Sequence, residues 1–226
     1  NSGSTTNVLD VTVTGAAGRI AYALIPLICS GKVFGPDVFV NLKLLDIEFA
    51  AERLKGVAME IEDCCYPLVN SLVATIDSRE AFTNCQVAIL LGGFPRQQGM
   101  ERKDLIAKNA RGMLTQAQAL ENYASSDVKV LVVANPANTN ALVAMEQAPK
   151  IPRQNFTALT RLDQERCRYF VSKYVNEARK EASLYSDFPP TRATDIKGVA
   201  IWGNHSSTQV PYIDQAIVNF GSDSTS

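Results

Sequence analysis

Residues 8–21 decide the fold, and they read Val8-Leu9-Asp10-Val11-Thr12-Val13-Thr14-Gly15-Ala16-Ala17-Gly18-Arg19-Ile20-Ala21. The first seven residues are mostly branched and apolar, which is typical of a buried β-strand. Gly15 breaks this run, and apolar residues then recur at helical spacing from Ile20 to Ile28. The stretch therefore predicts a strand, a tight turn with two glycines and a helix.

The alternation of strand and helix continues to about residue 150. Short apolar runs predict further strands at residues 38–45, 71–76, 86–91 and 128–134. Apolar stripes at helical spacing predict helices at residues 54–65 and 105–120. Strands that alternate with helices form parallel sheets with right-handed crossovers and helices on both faces. The sequence therefore predicts an α/β fold with a doubly wound parallel sheet.

The pattern changes after about residue 150. An apolar stripe predicts a helix between Cys167 and Ala178, and a loop rich in Pro, Ser and Thr follows at residues 186–194. Residues 197–202 predict a last strand. We therefore expect two domains, residues 1–150 and residues 151–226, of which the second mixes helix and strand in an α+β arrangement.

Ligands of a doubly wound sheet bind at the carboxyl ends of its strands, so the residues after each strand are candidates for a site. Gly15 and Gly18 allow a phosphate to approach the backbone N–H groups at the start of a helix. Asp46 ends the second predicted strand, where a carboxylate hydrogen-bonds ribose hydroxyls and repels a 2′-phosphate. Together they indicate a dinucleotide site that favours NAD over NADP. Each also has a purely structural interpretation, a tight turn for the glycines and a helix start for the carboxylate.

A second group of candidates combines one imidazole with several charged side chains. His205 is the one histidine and follows the last predicted strand, and Asp163 lies one helical turn before Arg166. Arg96 and Arg102 lie in a loop that contains glycine and proline. Guanidinium groups bind carboxylates in a bidentate manner, so the set predicts a pocket for a small dianion. The alternative is a structural histidine and surface ion pairs.

Charge and composition disfavour several other classes of protein. Lys and Arg number 22 against 23 Asp and Glu, a net charge of −1, so neither a nucleic acid nor a membrane is expected as a partner. The five cysteines show no CxxC spacing, and with a single histidine no metal site is predicted. Free thiols favour a reducing, intracellular compartment. No G-x-S-x-G elbow of a serine hydrolase occurs.

The candidate residues belong to ordered motifs that span nearly the whole chain. The motifs are Thr14-Gly15-Ala16-Ala17-Gly18-Arg19-Ile20-Ala21, Leu44-Leu45-Asp46-Ile47, Pro95-Arg96, Gly99-Met100-Glu101-Arg102-Lys103-Asp104, Asn135-Pro136-Ala137-Asn138-Thr139-Asn140, Leu159-Thr160-Arg161-Leu162-Asp163 and Trp202-Gly203-Asn204-His205-Ser206-Ser207-Thr208-Gln209. With them the chain resembles the lactate/malate dehydrogenase superfamily and, within it, the cytosolic malate dehydrogenases. The resemblance implies a Rossmann domain, NAD as cofactor, reversible hydride transfer between malate and oxaloacetate, a cytoplasmic location and a homodimer.

The resemblance also implies roles for the site residues. His205 is expected to act as the general acid/base, and Asp163 to accept a hydrogen bond from its other ring nitrogen, which fixes the tautomer. Arg166 and Arg96 are expected to bind the proximal and distal carboxylates of the substrate, and Arg102 to polarise its carbonyl. Asn135 is expected to hold the substrate hydroxyl beside the nicotinamide. The implied cofactor-binding residues are Gly15, Ala17, Gly18, Ile20, Asp46, Gly92 and Asn135.

Two alternatives stay open from the sequence. One is a dehydrogenase of the same fold that acts on another 2-hydroxy acid, for which Arg96 and Arg102 discriminate, because both together favour a dicarboxylate. The other is a catalytically silent protein that binds NAD or forms a dimer. Superfamily members continue through further strands and helices beyond residue 226, so we expect the second domain to be incomplete. The predicted helices at residues 54–65 and 163–178 carry the apolar surface that a partner needs.

Overall fold

The computed structural model describes residues 7–94, 99–182 and 188–219, apart from the side chains of Arg102, Lys103, Leu105 and Ile106. The chain forms two compact units, Asn1–Leu159 and Thr160–Ser226. We expected the first domain to end near residue 150. A strand at Phe156–Ala158 pairs with the sheet of the first unit and so extends that unit further along the chain.

Strands and helices alternate throughout the first unit. In chain order they are β1 (Val8–Thr14), α1 (Arg19–Cys29), β2 (Phe39–Leu45), α2 (Ala51–Asp63), β3 (Val69–Thr75), α3 (Ser78–Phe82), β4 (Val87–Leu90), α4 (Arg102–Tyr123), β5 (Lys129–Val132), α5 (Ala137–Gln147) and β6 (Phe156–Ala158). Periodicity did not predict α3 or β6, because five and three residues are too short to show it. It also missed α5, which begins directly after a proline and has only two buried residues.

The six strands form one parallel sheet in the order β3-β2-β1-β4-β5-β6. β1 lies near the centre, where Val13 is opposite Leu44 of β2 on one side and Ile89 of β4 on the other. The strand order reverses direction between β1 and β4, which opens a crevice at the carboxyl ends of these strands. This topology confirms the predicted doubly wound α/β fold.

Each face of the sheet has its own hydrophobic core. On one face, Ile25 of α1 and Leu54 of α2 pack with Val13 of β1, and all three are at most 2% exposed. On the other face, Phe82 of α3 and Met113 of α4 pack with the apolar residues of β4 and β5. Because both faces are covered, the strands are nearly continuous apolar runs, and the sequence pattern revealed them for this reason.

The second unit is a small α+β arrangement. It contains α6 (Leu162–Glu181), β7 (Ile196–Lys197), β8 (Ala200–Trp202), β9 (Val210–Tyr212) and β10 (Ile217–Val218). The single strand expected at residues 197–202 is wrong, because β7 pairs with β10 and β8 with β9 in two separate antiparallel sheets. Gly198 breaks the run with a φ of +72°, in close contact with the backbone of Gln215.

Within the described ranges, no helix has both the length and the apolar character needed to cross a membrane.

Candidate active site

A cleft of about 530 Å³ opens at the carboxyl ends of the strands of the first unit. Its volume lies within the usual range of ligand pockets, about 300–1,000 Å³. Residues that follow β1, β2, β3 and β4 line it, together with one side of α4. The cleft brings together four of the predicted cofactor-binding residues, namely Gly15, Gly18, Asp46 and Gly92.

The turn after β1 is held against the end of β4 by two glycines. Gly15 has a φ of +65°, and a Cβ at this position would lie 2.6 Å from the Cα of Gly92. No side chain fits there without moving backbone, so the close approach that Gly15 permits is to Gly92. The glycine is therefore needed for the fold of the cleft before any ligand is considered.

Helix α1 points its N-terminus into the same turn. The N-cap is Gly18, which has no side chain to accept from the first N–H groups of the helix. The first intrahelical bond runs from Tyr22 N–H to Gly18 O at 3.0 Å. The preceding N–H groups of Arg19, Ile20 and Ala21 are thus the unpaired donors of a helix start, which favours an anion such as a phosphate.

Asp46 joins the end of β2 to the turn after β1. Its Oδ2 accepts a hydrogen bond from Ala17 N–H at 2.9 Å, and its Oδ1 accepts one from Ile47 N–H at 2.8 Å. These bonds fix the carboxylate at the rim of the cleft. Each oxygen has a further lone pair, so the group can still accept from ribose hydroxyls.

Several cleft residues were missed from the sequence. Three apolar side chains line the cleft and form an exposed apolar wall. They are Ile47, Phe49 and Ile76, which are 56%, 94% and 45% exposed. Thr14 is 1% exposed, donates its hydroxyl proton to Gln116 Oε1 at 3.0 Å and accepts from Gly92 N–H at 3.4 Å. The apolar pair Ile47 and Phe49, one and three residues after the predicted ribose-binding carboxylate, was the one available signal, since the polar residues have no diagnostic spacing.

Three predicted residues of the first unit, Ala17, Ile20 and Asn135, do not line the cleft. Ala17 is buried and contributes its N–H to Asp46, whereas Ile20 is 61% exposed. Asn135 follows β5 with an exposed side chain, and its carbonyl accepts from Asn109 Nδ2 at 3.1 Å. Arg96 lies outside the described residues. Arg102 is the first residue of α4, and only its backbone is described.

The second unit brings His205 and Asp163 into direct contact. The distance from His205 Nδ1 to Asp163 Oδ2 is 2.6 Å, although 42 residues separate them in the chain. The imidazole is 81% exposed at its side chain and the carboxylate 14%. This pair was predicted from the sequence, and its geometry leaves Nε2 of the ring on the open side, available to a substrate.

Arg166 lies beside the same carboxylate. Its Nη1 is 3.5 Å from Asp163 Oδ1, and its side chain is 64% exposed. The guanidinium therefore neutralises part of the Asp163 charge and still presents most of its donors to solvent. A histidine and an arginine around one carboxylate suit a small anionic substrate that exchanges a proton.

Two side chains of α6 hold the segment that leads to His205. Gln164 donates to the carbonyl of Val199 at 2.7 Å, and Arg168 Nε donates to the carbonyl of Ile196 at 2.9 Å. These bonds fix β7 and β8 against the start of α6, where Asp163 lies. The contact between His205 and Asp163 is thus built by a helix and the strand before His205.

Within the described parts of the chain, no three His, Cys, Asp or Glu side chains cluster in a way that could hold a metal ion.

Comparison with known proteins agrees with the nucleotide-binding geometry of the cleft. Residues 9–157 match the family described as lactate/malate dehydrogenase, NAD binding domain. The chain is 50% identical over 209 residues to a cytoplasmic malate dehydrogenase of Medicago sativa, covering 92% of this chain and 59% of that protein. The chain spans about three fifths of the length of such relatives.

Solved structures show the same likeness. A crystal structure of malate dehydrogenase from Naegleria fowleri has a TM-score of 0.79 at 38% identity, over 96% of this chain and 63% of that one. Trichomonas vaginalis lactate dehydrogenase in complex with NADH and oxamate has a TM-score of 0.79 at 35% identity, over 93% and 59%. With most of the chain matched in sequence and in fold, the protein belongs to the lactate/malate dehydrogenase family.

Proposed function

We propose that the protein is an NAD-dependent malate dehydrogenase that interconverts malate and oxaloacetate. The observation that carries the proposal is the 2.6 Å contact between the one histidine, His205, and Asp163. An imidazole oriented by a carboxylate is suited to move a proton at a hydroxyl or carbonyl oxygen. The family membership and the cleft of the first unit supply the context for this chemistry.

The first unit fits the adenosine and phosphate parts of NAD. The uncapped N-terminus of α1 suits the pyrophosphate, and the Asp46 carboxylate suits the ribose hydroxyls while it repels a 2′-phosphate. Ile47, Phe49 and Ile76 offer the cleft an apolar wall that suits a base. When bound, NAD accepts the hydride from C2 of malate, and NADH supplies it in the reverse direction.

The chain itself moves the proton. In oxidation, neutral His205 accepts the proton of the malate hydroxyl through Nε2, while Asp163 accepts the hydrogen bond from Nδ1–H and stabilises the imidazolium. In reduction, the imidazolium returns this proton to the carbonyl oxygen of oxaloacetate. Arg166 binds the carboxylate next to the reacting carbon, and Asn135 holds the substrate hydroxyl.

We assign the dicarboxylate specificity to Arg96 and to Arg102, the first residue of α4. Arg96 is proposed to bind the distal carboxylate and Arg102 to polarise the carbonyl. Replacing Arg96 by Gln removes one charge partner and should shift preference from oxaloacetate toward a monocarboxylate 2-oxo acid such as pyruvate. Unchanged discrimination between oxaloacetate and pyruvate would reject this role and favour a dehydrogenase for another 2-hydroxy acid.

The direct test mixes the protein with NADH and oxaloacetate and follows the loss of reduced-nicotinamide absorbance. His205→Asn should lower kcat by about 10²- to 10⁴-fold, because general acid–base catalysis contributes that much. NADH binding, measured by fluorescence titration, should be unchanged, since the cleft is built from residues of the first unit. Intact NADH binding without turnover in the wild-type protein would favour the catalytically silent alternative.

The pH dependence has opposite signs in the two directions. Reduction of oxaloacetate requires protonated His205 and should slow as the pH rises. Oxidation of malate requires neutral His205 and should accelerate over the same range. Rate profiles measured in both directions, under conditions where chemistry limits the rate, check this, and flat profiles in both would contradict it.

We also propose a cytoplasmic homodimer. The relative from Medicago sativa is named cytoplasmic, and the five cysteines here are all free thiols, which suits a reducing compartment. On α6, Tyr169, Phe170 and Tyr174 are 58%, 49% and 70% exposed. Exposed aromatic side chains on one helix are typical of a surface that a second subunit covers.

A further inference from the structure

We propose that Asn109 is a positioning residue, which fixes the chain after β4 to the chain after β5 and so sets the place from which Asn135 reaches the substrate. The inference rests on the proposed dehydrogenase function for its effect on turnover. The hydrogen bonds that carry it lie entirely within the first unit.

Asn109 lies in α4 with 5% of its surface exposed, and both of its side-chain polar atoms are in use. Its Oδ1 accepts from Phe94 N–H at 2.7 Å. Its Nδ2 donates to Asn135 O at 3.1 Å and lies 3.4 Å from Phe94 O. One buried amide thus links two backbone segments that follow neighbouring strands of the sheet. Asn109 is also one of the residues that line the cleft.

The approach of Asn109 to these segments depends on Gly93. A Cβ at this position would lie 3.4 Å from Asn109 Oδ1 and 3.3 Å from the Cβ of Ala134. The segments after β4 and β5 are therefore packed closely enough that a side chain at residue 93 would push them apart. The side-chain amide of Asn109 lies beside Gly93, where this position has no side chain.

A second buried amide holds the segment that follows β5. Asn140 of α5 is 1% exposed and donates Nδ2–H to the carbonyl of Ala134 at 2.9 Å. The consecutive carbonyls of residues 134 and 135 are thus fixed by α5 and α4. The Asn135 side chain is exposed and makes no hydrogen bond with another residue of the described ranges, so its backbone is held and its amide is left for a ligand.

Only an amide satisfies both segments, because it combines an acceptor and a donor on one planar group. Asn109→Asp keeps the acceptor for Phe94 N–H and loses the donor, so a carboxylate oxygen then faces the Asn135 carbonyl. Asn109→Ala removes both bonds. The aspartate variant therefore isolates the link to Asn135, and the alanine variant also releases Phe94.

The experiment measures kcat/KM for oxaloacetate, the dissociation constant of ADP-ribose, and hydrogen exchange of the Phe94 amide by NMR. In Asn109→Asp we expect kcat/KM to fall about tenfold, the effect of losing one buried hydrogen bond in the transition state. ADP-ribose lacks the nicotinamide, so its dissociation constant should stay within about twofold. The Phe94 amide should stay protected in this variant and exchange faster in Asn109→Ala.

Asn155→Asp is the matched control. Asn155 is also a buried asparagine, 4% exposed, whose Nδ2 donates to Asp127 Oδ1 at 3.0 Å, and it does not line the cleft. The control should lower thermal stability and leave kcat/KM of the folded protein unchanged.

Three results overturn the inference: wild-type kcat/KM in Asn109→Asp, an equal loss in Asn155→Asp, or equal exchange of the Phe94 amide in the wild-type protein and Asn109→Ala. Absence of turnover in a wild-type protein that binds ADP-ribose contradicts the proposed function instead. The exchange rates of the Phe94 amide then decide the inference by themselves.

Discussion

Asp163 serves two neighbours at once, because one carboxylate oxygen contacts His205 at 2.6 Å and the other lies 3.5 Å from Arg166. Asp163→Asn keeps the shape and can still accept from the ring, but it removes the charge that stabilises the imidazolium. We expect kcat for oxaloacetate reduction to fall about 10²- to 10⁴-fold. Steady-state kinetics check this.

Glu177→Gln makes the same change of charge on the same helix, where Glu177 pairs only with the exposed Lys173 among described residues. It should retain wild-type kcat. Equal losses in both variants would mean that net charge on α6, rather than the contact with His205, controls the rate.

The thiols differ in burial, and the two buried ones have a raised pKa. Burial raises the pKa of Cys29 and of Cys85 from the ordinary value of 9.0 to about 11, and both residues are 0% exposed. At pH 8 only about 0.1% of such a thiol is ionised, and the thiolate is the reactive form. Iodoacetamide should therefore label the exposed Cys64 and Cys65 first, with Cys29 and Cys85 labelled only after unfolding, as peptide mass spectrometry can show.

The same pKa shifts affect stability with a definite sign. Unfolded thiols ionise near pH 9 and the buried thiols only near 11, so the unfolded state binds fewer protons between these values. The free energy of unfolding should therefore fall as the pH rises from about 9 to about 11. Cys85→Ala should show a shallower fall over this range in denaturant titrations. An identical slope in the variant would contradict the burial of a neutral thiol at this position.

At the scale of helices and strands, we expect the substitution of glycine by alanine to have opposite effects on stability at two positions. Gly56 lies inside α2 with nothing within 4 Å of an added Cβ, so Gly56→Ala should stabilise by about 0.5–1 kcal/mol and raise Tm by roughly 1–4 °C. Gly15→Ala meets a φ of +65° and the Cα of Gly92 at 2.6 Å, so it should destabilise by about 2–5 kcal/mol. Thermal melts of both variants check the pair, and a stabilised Gly15→Ala would contradict the close packing of β1 against β4.

The elements that the sequence predicts are those with a strong local pattern. β1, β2, β4 and β5 lie inside the sheet and appear as largely apolar runs, and α1, α2, α4 and α6 have clear apolar stripes. The short strands β7 to β10 depend on antiparallel pairing between distant residues, which periodicity does not contain. Only the position of Gly198 hinted that the last predicted strand is broken.

The residues of the candidate site also divide into those that the sequence predicts and those that it does not. Gly15, Asp46 and His205 were predictable because each is a residue type with a specific chemistry, within three residues of the end of a predicted strand. Asn109 was not, because its role comes from Phe94 and Asn135, which are 15 and 26 residues away in the chain. A polar residue in a helix has no sequence pattern that distinguishes such a link from an exposed position.

At the scale of the whole molecule, the aromatic side chains of α6 predict the state of association. Tyr174 is 70% exposed, and the rings of Tyr169 and Phe170 beside it pack edge to face at 5.7 Å. A twofold dimer uses each substitution twice, so losing the burial of two tyrosines, at about 1.5 kcal/mol each, weakens the dimer about 100-fold. Tyr174→Glu should therefore sediment as a monomer at micromolar concentration, whereas we expect the wild-type protein to sediment as a dimer.

Lys173→Glu separates burial from charge in this experiment. Lys173 is the neighbouring residue on α6, its side chain is 58% exposed, and its substitution changes the net charge by more than Tyr174→Glu does. If aromatic burial holds the subunits together, Lys173→Glu stays dimeric and Tyr174→Glu does not. Both variants should bind NADH with the wild-type dissociation constant, because the cleft is lined by residues of the first unit. A dimer that persists in Tyr174→Glu would place the subunit contact elsewhere, and the apolar surface of α2, where Met59 is 63% exposed, is then the next helix to substitute.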